Sequence, residues 1–155
     1  MPKDKFIGVI SDTHGLIRPE ALEVLAGSNL IIHAGDVGKM AVISALEAIA
    51  PVVAIKGNID RGETEHLPDT VTVERDSYKI HVLHDLKALD FDPVESGFNV
   101  VIAGHSHKPA VSKSGGVLYL NPGAAGQRRF KLPISVAHLW LENGKPAVEI
   151  IELAV

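Results

Sequence analysis

The stretch FIGVISDTHG, residues 6–15, passes from a short apolar run into a polar, glycine-closed loop. A run of bulky and β-branched residues bounded by a turn signal reads as a strand buried on both faces. The loop that follows then presents Asp12 and His14 at the strand's exit. The same pattern recurs along the chain. LIIHA (30–34) enters the turn holding Asp36, and VVAIK (52–56) enters the Gly57 turn holding Asn58. YKIHVLH (78–84) delivers His84, and NVVIAG (99–104) delivers His105 and His107. Polar groups that follow successive strands can converge at one sheet edge, where Asp, His and Asn side chains can hold two divalent cations for phosphoester hydrolysis.

The intervening segments supply the rest of an α/β domain. Pro19 suits the first turn of a short helix reaching Leu25, with Ala21, Leu22 and Leu25 as its apolar face. KMAVISALEAIA (39–50) places Met40, Ile43, Leu46 and Ile49 on one side of a second helix, which Pro51 ends. TVTVE (70–74) and YKIHVLH form a hairpin around Arg75–Ser77, with Tyr78, Ile80 and Val82 on one face. VLYLN (117–121) leads into Pro122–Gly123, and ISVAHLWLE and PAVEIIELA bracket an Asn143–Gly144 turn signal. Two packed sheets flanked by helices are expected.

The chain has 155 residues, 46% of them hydrophobic, enough for one cooperative core, so a single domain over 1–155 is expected. Its formal net charge of -4 gives no basic nucleic-acid footprint, which leaves nucleic acid only as a substrate. The absence of cysteine removes disulfides, thiolate metal sites and cysteine nucleophiles. With no apolar segment of membrane-spanning length and no signal-peptide pattern, a cytoplasmic protein is expected.

In their order, SDTHG, HAGD, GNID, His84, AGHSH and NPGA resemble the calcineurin-like metallophosphoesterases, especially the small bacterial and archaeal phosphodiesterases. That resemblance implies a four-layer α/β/β/α sandwich with two mixed β-sheets. It implies that Asp12, His14 and His107 bind one metal, that Asn58, His84 and His105 bind a second, and that Asp36 bridges them. A shared carboxylate offsets adjacent dication charges, while imidazoles and an amide oxygen add lone pairs without further anions. Asp36, Asn58, His84 and His107 are the residues expected to carry catalysis. Manganese is the ion the resemblance implies; nickel, iron, cobalt, zinc and magnesium suit the same ligands.

The implied reaction is phosphodiester hydrolysis by a metal-activated hydroxide, which transfers the phosphoryl group of a small phosphate ester directly to water, with inversion at phosphorus and departure of the alcohol. A phosphomonoesterase, a nuclease for small nucleic acids and a non-enzymatic protein-interaction module are the alternatives. Ile59 stands where many relatives place a histidine, which removes the obvious proton donor to the leaving oxygen. Activated diesters therefore look easier than alkyl monoesters. Asp85 replaces a frequent glycine, and NPGA replaces NPGS.

Several residues admit two roles. Asp12 and Asp36 could cap turns, and Asn58 could brace the Gly57 turn, in a purely structural use of the same motifs. His33 could orient a ligand or simply pack, whereas His66, His81 and His138 favour structural or solvent-facing roles. Asp60 could hydrogen-bond a ligand or brace the GNID loop, and Asp85 could cap a turn or add charge beside the second metal. Arg18, Arg61, Arg128 and Arg129 could meet phosphate or remain solvated. Trp140 serves either core packing or a homodimer interface on the terminal strands.

Overall fold

The computed structural model describes residues 5–142 and 145–155. Strands β1 (Phe6–Ile10), β2 (Ser28–His33) and β3 (Val52–Ala54) are parallel neighbours, connected through α1 (Pro19–Leu25) and α2 (Met40–Glu47). The later hairpin β4 (Thr70–Arg75) and β5 (Tyr78–Leu83) opens a second sheet, in which β5, β6 (Val100–Ile102) and β8 (Val117–Asn121) run parallel. Strand β7 (Ala110–Ser114) closes that sheet antiparallel to β8, giving the order β4-β5-β6-β8-β7. Strands β9 (Ser135–Glu142) and β10 (Lys145–Glu152) return to the first sheet as β10-β9-β1-β2-β3.

Two-residue periodicity explains how the sheets meet. Ile7, Val9, Leu30, Ile32, Ala137 and Leu139 pack against Ile80, Val82, Val100, Ile102, Leu118 and Leu120 in one core. On the opposite face of the first sheet, Ile10, Ile31 and Val136 meet Ala21 and Leu25 of α1 and Val42, Ile43 and Leu46 of α2. Strands β1 and β2 are thus covered on both sides, which is why their apolar runs are almost continuous.

The two mixed five-stranded sheets bear out the expected sandwich. Its fourth layer is thin. A 3-10 turn at Leu86–Ala88 and the segment after it cover the outer face of the second sheet, where Leu89 packs on Leu83, Val101, Ala103 and Val117. Phe91 and Phe98 meet His81 edge-on at 4.9 and 5.4 Å. His81 is thereby a packed residue.

Strand β7 did not stand out in the sequence because AVSKS is exposed along its whole length and carries no buried face. The second helix stops at Glu47, short of Pro51. In the β4–β5 turn, Asp76 and Ser77 adopt φ of 51° and 69°, the left-handed pair that a tight two-residue hairpin requires. The Asn143–Gly144 turn signal lies outside the described residues. Trp140 is 5% exposed and packs with Phe6 and His138, so core packing accounts for it. Among the described residues no helix is long and apolar enough to cross a membrane.

Candidate metal centre

The parallel strands all release their chains at the same end of the sandwich, where open α/β sheets collect ligands. There the loops after β1 and β2 are zipped together: the N–H groups of Asp12, His14 and Gly15 donate to the carbonyls of Gly35, Asp36 and Val37 at 3.0, 2.9 and 2.8 Å. The Gly104 N–H donates to the His84 carbonyl at 3.0 Å, which ties the loops of the second sheet in the same way. Asp12, His14, Asp36, His105 and His107 have φ of 54°, 50°, 55°, 73° and 65°. Left-handed backbone costs a non-glycine residue about 1–2 kcal/mol. Strain of this kind, gathered on the candidate ligands, marks a site held in place for function.

Two groups of ligand atoms result, Asp12–His14–His107 and Asp12–Asp36–His84. Asp12 Oδ1 faces Nε2 of His14, His84 and His107 at 3.9, 3.8 and 3.5 Å. Asp36 Oδ2 lies 3.5 Å from His14 Nε2 and 3.3 Å from His84 Nε2. Ligand atoms that share one cation at about 2.1 Å sit roughly 3–3.5 Å apart, so these spacings need little contraction to hold a metal. Asp12 Oδ1, His14 Nε2 and His84 Nε2, which face one another, are buried polar atoms that make no hydrogen bond within the chain. Bare buried lone pairs that converge in this way are costly without a ligand and fit divalent ions.

The opposite atoms of the same side chains are fully engaged. Asp12 Oδ2 accepts from Ser11 Oγ at 2.7 Å and from the His105 N–H at 3.0 Å. Asp36 Oδ1 accepts from the Ile59 N–H at 3.1 Å. His84 Nδ1–H donates to the Ala34 carbonyl at 2.7 Å, which leaves the Nε2 lone pair for a metal.

Electrostatics agree with this division. Burial raises the Asp12 carboxyl against the pull of Ser11. Burial also opposes ionisation of Asp36, but its contacts with His84 and the Ile59 N–H hold it well below the usual carboxylate range. His84 is pulled down by burial and pushed up to about 9 by Asp36, the Ala34 carbonyl and Asp12. A dication seated against the two carboxylates competes with that imidazole proton, so binding releases it. Burial, followed by the charge of Arg129, lowers His107 to about 4 and keeps it neutral.

Asn58 and His105 flank the two groups. Asn58 is exposed on the rim of the cleft it shares with His84. The His105 ring packs edge-on to His84 at 5.1 Å, and its Nε2 lies 3.8 Å from Asp85 Oδ2. Asp85 takes the turn-capping role expected of it, its Oδ1 accepting from the Lys87 N–H at 3.0 Å. Of the arginines, Arg18 binds the Gly126 carbonyl and Arg128 binds the carbonyls of Leu132 and Val155, so both serve the fold.

Asp60 braces loops: its carboxylate accepts from the N–H groups of Val37, Gly38 and Gly57 and from Thr64 Oγ1. A Cβ at Gly57 would strike Asp36, one at Gly35 would strike His84 and one at Gly104 would strike Ser11 and Asp12. These glycines are needed for close approach. Ser11 and Thr13, inside the SDTHG motif but without a role assigned from sequence, turn out to orient it.

His33 is fully buried. Its Nδ1 accepts from the Gly35 N–H at 3.2 Å, so the neutral ring carries its proton on Nε2 and donates to Thr13 Oγ1 at 3.0 Å. Thr13 in turn donates to the Val37 carbonyl at 2.9 Å. This relay needs an uncharged imidazole, and burial lowers His33 to about 4. The unfolded chain, with an ordinary histidine near 6.5, binds the extra proton first. The contribution is therefore complete above pH 6.5 and declines as pH falls toward 4, by about 2 kcal/mol between pH 7 and pH 5. Urea titration of metal-free protein is expected to show wild type losing that much more than His33→Asn over this interval. Parallel losses in the two proteins would refute the relay.

A profile of the calcineurin-like phosphoesterase superfamily domain matches residues 6–144. The chain belongs to the calcineurin-like phosphoesterase superfamily. Within it, a probable metallophosphoesterase of Methanothermobacter thermautotrophicus is 34% identical over 157 residues, covering 94% of this chain and 91% of that protein. A phosphodiesterase of Methanocaldococcus jannaschii is 30% identical over 136 residues, covering 76% of this chain and 82% of that protein. The solved structure of an archaeal phosphodiesterase superposes with a TM-score of 0.76 at 27% identity, over 94% of this chain and 99% of that one. Vps29 of Chaetomium thermophilum, at 17% identity and a TM-score of 0.78 over 97% and 96% of the two chains, shares the fold. As a calcineurin-like phosphoesterase, the protein has candidate ligand groups suited to the divalent metals that the superfamily implies.

Proposed function

We propose that this calcineurin-like phosphoesterase is a binuclear metal-dependent phosphodiesterase. The observation that carries the reading is Asp36 Oδ2, which stands within 3.5 Å of a histidine from each side of the centre. On this reading Asp12, His14 and His107 would hold one ion, Asn58, His84 and His105 the other, and Asp36 both, with Asp12, the carboxylate common to the two ligand groups, beside the second ion as well. When bound, the ions supply Lewis acidity that lowers the proton cost of a water nucleophile and offsets charge on the phosphoryl oxygens. The Ile59 N–H fixes Asp36, the Ala34 carbonyl fixes His84, and the His105 backbone fixes Asp12, so the donors are oriented before substrate arrives.

Two residues favour diesters over monoesters. Ile59, 43% exposed, offers no proton to a leaving alcohol. Asp85 adds a carboxylate beside His105, which opposes a monoester dianion more than a diester monoanion. The phosphodiesterase named among the relatives supports the same substrate class. Metal-stripped protein reloaded separately with manganese, nickel, iron, cobalt, zinc or magnesium is expected to hydrolyse bis(p-nitrophenyl) phosphate faster than p-nitrophenyl phosphate, with manganese the leading ion. Faster monoester turnover, or none in a folded protein carrying two ions, would overturn the assignment. Ile59→His should raise monoester turnover about 10- to 100-fold with metal content unchanged. An unchanged rate would show that proton donation is not what limits monoesters.

A further inference from the structure

We propose that the cleft beside His105 seats the organic substituent of the substrate and that this substituent is a planar, uncharged aromatic or heteroaromatic group. The inference rests on the phosphodiesterase reading and names its substrate class. The cleft has a volume of about 510 Å³ and lies on the outer face of the second sheet, where the thin fourth layer stops. Val101 of β6, Ala103 just after it and Tyr119 of β8 line it, with Leu86 on the side of the 3-10 turn and Ala110 and Ser112 on the side of β7. This lining is mostly carbon, and Tyr119 adds an aromatic ring. The volume falls in the range of small-molecule sites, and apolar walls with few polar groups are the usual lining of such sites.

Continuity with the metal loops identifies the occupant. Gly104 and His105 line the cleft, so a phosphoryl group on the candidate ligands would send one ester substituent into it. Lys87 and Lys108 also line it and complement the single negative charge of a diester. Asp85 lines it as well and opposes a carboxylated or phosphorylated substituent. Asp85 also borders a second cleft, of about 580 Å³, shared with Asn58 and His84 and lined by Lys56, Asp69, His81 and Asp90. Leu83, Leu89 and Phe91 line it too, so its walls are mixed, more polar than those of the first cleft, and suit a more hydrophilic substituent. A centre between one apolar and one mixed cleft matches a diester with two unlike alcohols.

Binding of phenylphosphonate and methylphosphonate, each as its monoanionic monomethyl ester, to manganese-loaded protein separates the cleft from the metals. Phenylphosphonate is expected to bind at least tenfold tighter. Ser112→Trp, at an exposed position on β7, should fill the cleft and abolish that preference while methylphosphonate affinity stays within twofold. In magnesium-loaded wild type, methyl NMR shifts from phenylphosphonate should centre on Val101 and Ala103. Equal affinities, a preference that survives Ser112→Trp, or shifts centred on Leu83 and Leu89 would each overturn the assignment. Failure of both phosphonates to bind protein carrying two ions would instead remove the phosphoester reading and the cleft assignment with it.

Discussion

Asp36→Asn is expected to lower metal-restored phosphodiester hydrolysis by about 10³-fold, the scale on which a preorganised electrostatic element counts. The side chain is 6% exposed and divides its oxygens between two tasks. Oδ1 accepts the Ile59 N–H, and Oδ2 faces His14 and His84. An amide of the same shape cannot satisfy both. With nitrogen at the first position it meets another N–H donor; with nitrogen at the second it faces the ions with a donor where they need an acceptor. In either orientation the shared negative charge between two dications is gone, so metal content should fall together with turnover. Metal analysis beside steady-state kinetics tests both effects. Activity within tenfold of wild type, with two ions retained, would deny Asp36 the bridging role. The metal-free protein gives a separate check, because loss of the Asp36 charge should bring the His84 titration down from about 9.

The strand exits made this centre legible in the sequence. A buried strand needs an apolar run and a loop ends it, so Asp12, Asp36, Asn58, His84 and the His105–His107 pair could all be assigned to one sheet edge. What the strand pattern does not encode is how the loops meet. Nothing in DTH signals that Asp12 and His14 both adopt left-handed backbone, which local preference would give to glycine or asparagine; the zipper to Gly35, Asp36 and Val37 imposes it. His33 was ambiguous for a related reason. Its partners Thr13 and Gly35 come from two loops, and only their contact shows that a packed histidine also orients the SDTHG motif. Strand β7 was silent because neither of its faces is buried, and the thin fourth layer because Pro93 and Gly97 break the seven-residue spacing of Phe91 and Phe98 into turns.

Asp60→Ala is expected to destabilise the metal-free protein by about 3 kcal/mol or more and to weaken metal binding about 10- to 100-fold, although Asp60 is assigned to neither ion. Asp60 is 3% exposed, and its carboxylate accepts at 3.1, 2.8 and 2.8 Å from the N–H groups of Val37, Gly38 and Gly57 and at 3.0 Å from Thr64 Oγ1. Removing it strands three backbone donors in the loops that carry Asp36 and Asn58. Asp60→Asn should be nearly as harmful, because an amide nitrogen would turn a donor toward other donors. Thr64→Val, which removes one hydrogen bond, should cost about 1 kcal/mol. Urea denaturation of the three variants measures this ranking, and a wild-type midpoint for Asp60→Ala would refute it. The contrast with Asp36 follows from the same loop contacts: Asp36 accepts one backbone hydrogen bond and spends its other oxygen on the centre, whereas Asp60 spends both on the scaffold. Asp36→Asn should therefore lose far more activity than stability, while Asp60→Ala should lose activity through the displacement of a ligand it never touches.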